Sequence, residues 1–211
     1  MFDDSPIVDA IEVDLPIGHF GSTEFVFPFG REPSTCGLIN GWSRQGKTVL
    51  VRGAVAFASE ALPDSEITVV TKIDSEWESV SDQVDVVRND EAVGVLKRMA
   101  GALVFASTRA ATPRLLIVDE VTALHPDAIE PLILLLEVRC VLGLTILITS
   151  QASFGDSPNL TLPSSMRGMM SVADRQALWR VTFTHTTGLG AYQESCFGPG
   201  APKCEIRGYG E

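Results

Sequence analysis

Short apolar runs alternate with helical periods over the first two thirds of the chain. Runs of consecutive apolar or β-branched residues predict buried strands, because a strand that is covered on both faces has no polar side. These runs occupy residues 35–40 (TCGLIN), Glu66–Thr71 (EITVVT), Arg114–Val118 (RLLIV) and 144–149 (LTILIT). Apolar residues at helical spacing predict helices over residues 47–62, 91–107 and 131–142. This alternation predicts an α/β fold with a mostly parallel central sheet flanked by helices.

The two ends of the chain carry weaker patterns. Residues 1–34 are rich in Pro, Gly and Asp and predict an N-terminal arm or lead-in strand, with a β-like piece at residues 24–29. Shorter patterns predict an edge strand at residues 84–88, a strand at 177–185 and a last hairpin strand at 204–208. We therefore expect an arm at residues 1–34, a core at 35–187, and a Gly/Pro-rich tail of the same domain at 188–211.

The segment GWSRQGKT matches the G-x-x-x-x-G-K-[ST] pattern of a phosphate-binding P-loop in full. Gly41 and Gly46 allow backbone turns that bring several N–H groups onto one anion, and the following helix directs its positive end at that anion. Lys47 is expected to reach the β- and γ-phosphates of ATP, and Thr48 to supply a hydroxyl to Mg²⁺. A chance match in a Gly-rich loop is disfavoured by the strand before the motif and the apolar helix after it. The residues predicted to bind the nucleotide are Gly41, Trp42, Ser43, Arg44, Gln45, Gly46, Lys47, Thr48 and Val49.

A second motif, LLIVDE, ends a predicted buried strand with two adjacent carboxylates. Ligands of open α/β sheets bind at the carboxyl ends of the strands. Asp119 is expected to hold Mg²⁺ through water, opposite Thr48, and Glu120 to act as the base that deprotonates the attacking water. Taken alone, two solvated acids at an ordinary strand end explain this motif better, but the P-loop upstream favours the catalytic interpretation.

The strand LTILIT is followed by Ser150 and Gln151, and a polar amide at the end of this strand can sense the γ-phosphate through the attacking water. A plain N-cap of the next segment is the alternative for Gln151. The stretch GLTILITSQAS resembles the glycine, hydrophobic strand and Thr/Ser-Gln signature of the FtsK/HerA superfamily of DNA-pumping ATPases. The resemblance covers residues 35–151 and implies a RecA-like P-loop NTPase core that uses ATP and Mg²⁺.

Two other P-loop families fit less well. RLLIVDEVTALHPD is also similar to the corresponding motif of ABC ATPases, but nothing resembling LSGGQ precedes Arg114, and the interval from Lys47 to Asp119 is too short for that family's helical subdomain. AAA+ proteins carry a C-terminal helical lid, whereas residues 188–211 are rich in Gly and Pro.

Within the FtsK/HerA superfamily, a free-standing core of this length resembles the genome-packaging ATPases of tailless, membrane-containing icosahedral viruses. That resemblance implies a homo-oligomeric ring, a hexamer, which moves double-stranded DNA and meets capsid or vertex proteins, in the virion or the host cytoplasm. A cellular or plasmid-borne DNA translocase is an alternative with the same chemistry. The alternative from another class is a nucleotide-dependent assembly switch that binds a protein partner and pumps nothing.

The resemblance also implies an arginine finger, which a neighbouring subunit donates to the γ-phosphate. Arg139 is the first candidate, four residues before Gly143, although superfamily relatives usually place the arginine three before that glycine. Arg167 is the second. A surface salt bridge is an equal alternative for either residue.

Composition and charge limit the partners. The net charge of −11 excludes a protein coated in nucleic-acid-binding surface, although a ring needs positive charge only along its pore. The candidate DNA contacts are therefore few: Lys72, Arg88, Lys97 and Arg98. The apolar runs are far shorter than the roughly 18 residues of a membrane span, so we expect a soluble, intracellular protein.

Overall fold

A computed structural model describes residues 13–20, 23–29, 36–43, 46–104, 112–151, 162–177, 179–184, 191–196 and 203–207. The strands in these ranges are β1 (Val13–Phe20), β2 (Thr23–Phe29), β3 (Cys36–Asn40), β4 (Glu66–Thr71), β5 (Asp85–Arg88), β6 (Arg114–Val118), β7 (Leu144–Ser150), β8 (Trp179–Thr184), β9 (Ala191–Cys196) and β10 (Lys203–Arg207). The α-helices are α1 (Lys47–Ala61), α2 (Ala92–Val104), α3 (Ile129–Leu142) and α4 (Ser164–Gln176), with 3₁₀ segments at Asp74–Val80, Val121–Ala123 and Pro126–Ala128. Within the described ranges, no helix combines the length and the apolar character that a membrane crossing requires.

All of these strands join one sheet in the order β2-β1-β10-β9-β8-β3-β7-β6-β4-β5. The strands from β8 to β5 run parallel to one another. The strands at the other end, from β2 to β9, pair antiparallel. The predicted α/β fold is confirmed, and β5 is the edge strand that residues 84–88 predict. Strand β7 lies between β3 and β6, so the ends of the two motif-bearing strands are one strand apart.

Each face of the parallel sheet has its own hydrophobic core. On β6, Leu115 and Ile117 pack with α1, whereas Leu116 and Val118 pack with α2, α3 and α4. This division follows from the strand itself, because successive side chains point to opposite faces. Since helices cover both faces, every position of such a strand is apolar, and the sequence therefore shows continuous runs instead of alternation.

Two elements form where the sequence pattern predicts none, α4 and β9, whereas β1 lies in residues 1–34, for which an arm or a lead-in strand is predicted. Strand β1 contains Pro16 and Gly18, and its pairing with β2 shifts register between them, which breaks the usual strand pattern. Helix α4 carries a helical period after all, because its buried residues are Met166, Met169, Met170 and Ala173. Strands β9 and β10 place two segments of the Gly/Pro-rich residues 188–211 inside the sheet.

Candidate active site

The P-loop connects the end of β3 to the first residue of α1. Gly46 has φ 90° and ψ 10°, a left-handed conformation that favours glycine, and the helix begins directly after it at Lys47. The Gly41 N–H donates to the Ser150 carbonyl at 3.1 Å, which ties the start of the loop to the end of β7. Arg44 and Gln45, both predicted to bind the nucleotide, lie outside the described residues.

The Lys47 ammonium is held by backbone carbonyls of the loop. Its Nζ donates to the Gly41 carbonyl at 2.8 Å and to the Trp42 carbonyl at 3.1 Å, and the residue is only 7% exposed. Burial lowers the pKa of Lys47, while the nearby carboxylates of Glu120 and Asp119 act in the opposite direction. The charge therefore lies at the P-loop, where a phosphate can replace the two carbonyls as its partner.

Asp119 follows β6 and is only 5% exposed. The Thr48 hydroxyl donates to its carboxylate at 3.1 and 3.3 Å, and the Thr149 hydroxyl donates at 2.8 Å. Burial raises the pKa of Asp119; the two threonine hydrogen bonds and the Trp77 indole oppose that rise, and the Glu120 charge adds to it. Trp77 is fully buried, and its Nε1 makes no hydrogen bond to any described residue.

The Thr48 and Asp119 oxygens provide a donor set that suits Mg²⁺. This ion prefers oxygen ligands, keeps several waters and needs only one or two protein groups. One hydroxyl and one buried carboxylate, already in contact with each other, meet that requirement. The predicted pairing of these two residues across the cleft is therefore present in the geometry.

Glu120 adopts a left-handed backbone conformation, φ 62° and ψ 68°, which is unusual for a residue other than glycine. Its N–H donates to the Thr149 hydroxyl at 2.7 Å, and its carboxylate oxygen Oε1 accepts from the Gln151 N–H at 3.2 Å and from the Thr122 hydroxyl. Strain of this kind costs on the order of 1–3 kcal/mol and persists where the surroundings hold it, often at functional sites. The turn directs the carboxylate toward the end of β7.

Thr149 is a site residue that the sequence motifs do not single out. It is fully buried, and its hydroxyl joins Asp119 to the backbone of Glu120. The sequence offered a partial signal, since Thr149 stands immediately before Ser150 and Gln151, although the same strand also contains Thr145. Gln151 itself is exposed at the end of β7, beside Glu120.

One cleft of about 850 Å³ brings most of the predicted site residues together. The predicted residues that line it are Ser43, Gly46, Lys47, Thr48, Val49, Asp119, Glu120 and Gln151. Residues that the motifs do not single out for this site also line it: Arg52, Thr71, Lys72, Ile73, Glu76, Thr122 and Ala123. Gly41 and Trp42 contribute through the carbonyls that hold Lys47, and the Trp42 side chain is 70% exposed.

Arg139 lies away from the cleft, on the face of the sheet that α3 and α4 cover. It is 6% exposed, and its guanidinium donates to the Leu136 carbonyl at 2.6 Å, to Gln176 Oε1 at 2.7 Å and to the Gln176 carbonyl at 3.3 Å. A finger that enters a neighbouring subunit must be free at the surface. The Arg139 side chain is engaged within its own chain, an arrangement that does not fit the predicted finger. Arg167, the second candidate, is exposed on α4.

No protein-family model and no curated protein sequence matches the chain. Among solved structures, it is similar to the pCW3 conjugation coupling protein TcpA in its monomer form with ATPgS, with a TM-score of 0.68 and 11% identity over 99% of this chain and 68% of that chain. It is also similar to Thermomonospora curvata EccC (ATPases 2 and 3) in complex with a signal sequence peptide, with a TM-score of 0.70 and 15% identity over 94% of this chain and 41% of that chain. EssC (ATPases 2 and 3) from Geobacillus thermodenitrificans gives a TM-score of 0.61 and 15% identity over 96% of this chain and 42% of that chain.

These similarities show the fold, which is that of P-loop ATPases. The chain spans about two thirds of the TcpA chain and less than half of the EccC and EssC chains.

Proposed function

We propose that this chain binds ATP with Mg²⁺ on its P-loop and hydrolyses the bond between ADP and the γ-phosphate. The observation that carries the proposal is the convergence of Lys47, Thr48, Asp119, Glu120 and Gln151 on one cleft, from the start of α1, the turn after β6 and the end of β7. Each of these residues comes from a motif whose chemistry is specific to phosphates or to water attack. A structural network of charges has no need of a lysine, a hydroxyl, two carboxylates and an amide in this arrangement.

The chain's own residues divide the work of the reaction. Lys47 and the N–H groups at the start of α1 bind the phosphates, and Thr48 and Asp119 position the Mg²⁺ site. When bound, Mg²⁺ neutralises charge on the phosphate oxygens. Glu120 accepts a proton from a water that attacks the γ-phosphorus, and the bond between that phosphorus and the ADP oxygen breaks. The side-chain amide of Gln151 orients the water. The Gln151 backbone N–H donates to the Glu120 carboxylate, which holds this residue beside the base.

We further propose that the chain works as a homo-oligomeric ring, a hexamer, that moves double-stranded DNA. Two observations support this: the resemblance of GLTILITSQAS to the FtsK/HerA signature, and the similarity in fold to a conjugation coupling protein. The role we favour is viral genome packaging against a capsid or vertex protein, in the virion or the host cytoplasm. This role rests on the sequence resemblance alone. In such a ring Arg167 replaces Arg139 as the candidate for the arginine that a neighbour donates.

A polypeptide is the second candidate cargo, because the similar EccC structure holds a signal sequence peptide. A nucleotide-dependent switch without cargo is the third possibility. The test is ATP turnover measured with duplexes of increasing length, with extended peptides, and with neither, over a range of salt. Lys47→Ala serves as the control without nucleotide binding.

A DNA motor should hydrolyse ATP slowly alone and faster with duplex DNA, and the stimulation should fall steeply as salt rises, because backbone contacts release counterions. Stimulation of ATP turnover by peptide but not by DNA would indicate that the cargo is a polypeptide and not DNA. A protein that stays monomeric with ATP and ignores both polymers would refute the motor. Full turnover by a folded Lys47→Ala variant would refute the ATP site itself.

A further inference from the structure

Lys72 is a second lysine in the nucleotide cleft, and the motifs do not assign it to this site. It lines the cleft together with Lys47, Thr48, Asp119, Glu120 and Gln151. It follows the last residue of β4, and β4 pairs with β6 in parallel register, with Val70 beside Val118. The Asp119 N–H donates to the Val70 carbonyl at 2.8 Å, so the pairing continues past the strand ends. Lys72 therefore lies beside Glu120, at the end of the strand that neighbours β6.

The backbone that carries Lys72 is fixed on both sides. Thr71 is buried; its carbonyl accepts from the Asn89 N–H at 3.0 Å, and its hydroxyl accepts from the Ile73 N–H at 3.2 Å. The 3₁₀ segment that follows is held to α1, because Arg52 donates to the Glu76 carbonyl at 2.6 Å. Lys72 is thus presented from an anchored strand end, although its side chain is exposed.

Among the cations that line the cleft, Lys72 is the one whose charge is not engaged within the described residues. Lys47 donates to two P-loop carbonyls and Arg52 holds the Glu76 carbonyl, whereas Lys72 has no hydrogen bond or ion pair there. Three carboxylates, Asp119, Glu120 and Glu76, line the same cleft. A bound triphosphate adds more negative charge to the cleft. A free ammonium group near the terminal phosphate therefore gains a favourable Coulomb interaction.

The position of Lys72 selects which phosphate it can reach. Three strand intervals separate β3, which carries the P-loop, from β4, and each interval is about 4.8 Å. Lys72 therefore approaches a bound nucleotide from the side opposite the P-loop strand, where Glu120 also lies. We propose that Lys72 binds the terminal phosphate of ATP from within the same chain. This inference rests on the proposed ATP site and adds a residue that distinguishes ATP from ADP.

The test compares binding of ATPγS and ADP, each with Mg²⁺ and without DNA, to the parent and to Lys72→Met, Lys72→Gln and Lys72→Arg. Arg175→Met is the matched control, since Arg175 is an exposed cation on α4 that does not line the cleft. We expect Lys72→Met and Lys72→Gln to weaken ATPγS about fivefold to twentyfold and ADP less than twofold, as loss of one charge-assisted contact at an exposed site implies. Turnover should fall about tenfold, with partial recovery in Lys72→Arg, and Arg175→Met should match the parent.

Each other outcome overturns the inference. Equal losses for ATPγS and ADP indicate general attraction instead of a terminal-phosphate contact. Equal effects of Arg175→Met indicate a change in net charge only, and an unchanged Lys72→Met indicates a solvated surface lysine. If the parent binds and hydrolyses ATP in these cases, the proposed ATP site stands and only Lys72 loses its role. A parent that binds no ATPγS overturns both.

Discussion

Replacing Thr149 by valine removes one buried hydroxyl and leaves the shape of the side chain nearly unchanged. That hydroxyl accepts from the Glu120 N–H at 2.7 Å and donates to Asp119 Oδ1 at 2.8 Å. Thr149→Val therefore leaves a backbone donor without its partner inside a strained turn, and takes a donor from a buried carboxylate. Both consequences lie at the two residues that the reaction needs most.

The magnitude follows from the two contacts. A neutral hydrogen bond contributes about 0.5–1.5 kcal/mol and one to a charged group about 1.5–3 kcal/mol, so their joint loss should cost about 3 kcal/mol of unfolding free energy. For a chain of this size, each kcal/mol corresponds to roughly 2–4 °C, and the melting temperature should fall by about 6–12 °C. Turnover should fall at least about tenfold, because the backbone turn that presents the Glu120 carboxylate loses its hydrogen bond to Thr149.

The same strand offers a matched control, Thr145→Val. Thr145 is also buried on β7, but its hydroxyl has no hydrogen-bond partner among the described residues. Its replacement should be neutral or stabilising by up to about 1 kcal/mol, since it removes an unsatisfied polar group. Both variants are melted without nucleotide and assayed for ATP hydrolysis. If Thr149→Val is no less stable than Thr145→Val and turns over ATP like the parent, the bridging role of the hydroxyl is wrong.

Three further predictions address the charged residues. Glu120→Gln should still bind ATP with Mg²⁺ but hydrolyse it about 10²–10⁴-fold more slowly, and equal turnover in a phosphate-release assay would move the base elsewhere. Because burial raises the pKa of Asp119, the folded protein holds the Asp119 proton more tightly than the unfolded chain does. The ionised carboxylate therefore destabilises the fold, fully above the raised pKa and less and less as the pH falls through it. Asp119→Asn should therefore melt at a higher temperature than the nucleotide-free parent at alkaline pH, and this difference in melting temperature should shrink on acidification. The variant should also lose the stabilisation that ATP with Mg²⁺ gives the parent. Thermal melts over a range of pH contradict this reasoning if the difference in melting temperature grows on acidification. Arg139→Met should lose about 2–4 kcal/mol of unfolding free energy in urea, because it leaves Gln176 and the Leu136 carbonyl without their donor. Arg167→Met should change that free energy by no more than about 0.5 kcal/mol. An Arg139→Met protein of parental stability that fails only in ATP turnover would support Arg139 as the arginine finger after all.

The parallel strands and the two phosphate-site motifs could be predicted because their signals are local. A run such as RLLIV shows in five consecutive residues that both faces of a strand are covered, and the carboxylates after it mark the strand end. The role of Thr149 could not be predicted in this way. It depends on the register between β6 and β7, which sets Val118 beside Ile148 and so places Thr149 next to Asp119. Pairing register between distant segments has no signature in either segment alone.

Arg139 shows the same limit for helices. Its spacing from Gly143 is visible in the sequence, but α3 is apolar on nearly all sides, so the pattern does not reveal which face meets solvent. The packing of α4 against α3 decides the matter by bringing Gln176 to the guanidinium. Because α4 itself is absent from the sequence prediction, the partner that buries Arg139 is absent too.

The contacts inside the cleft fall into two groups that should respond differently to ATP. Lys47 donates to loop carbonyls and Thr48 to Asp119, and both contacts must be exchanged when phosphates and Mg²⁺ arrive. The affinity for ATP is therefore a difference between new contacts and these existing ones, which keep the side chains in place at the cost of part of the binding free energy. Thr149 does not line the cleft, so its contacts to Asp119 and to the Glu120 backbone need no exchange. Substitutions at Lys47 and Thr48 should consequently act mainly on affinity, whereas those at Thr149 act on the stability of the nucleotide-free fold and on turnover together.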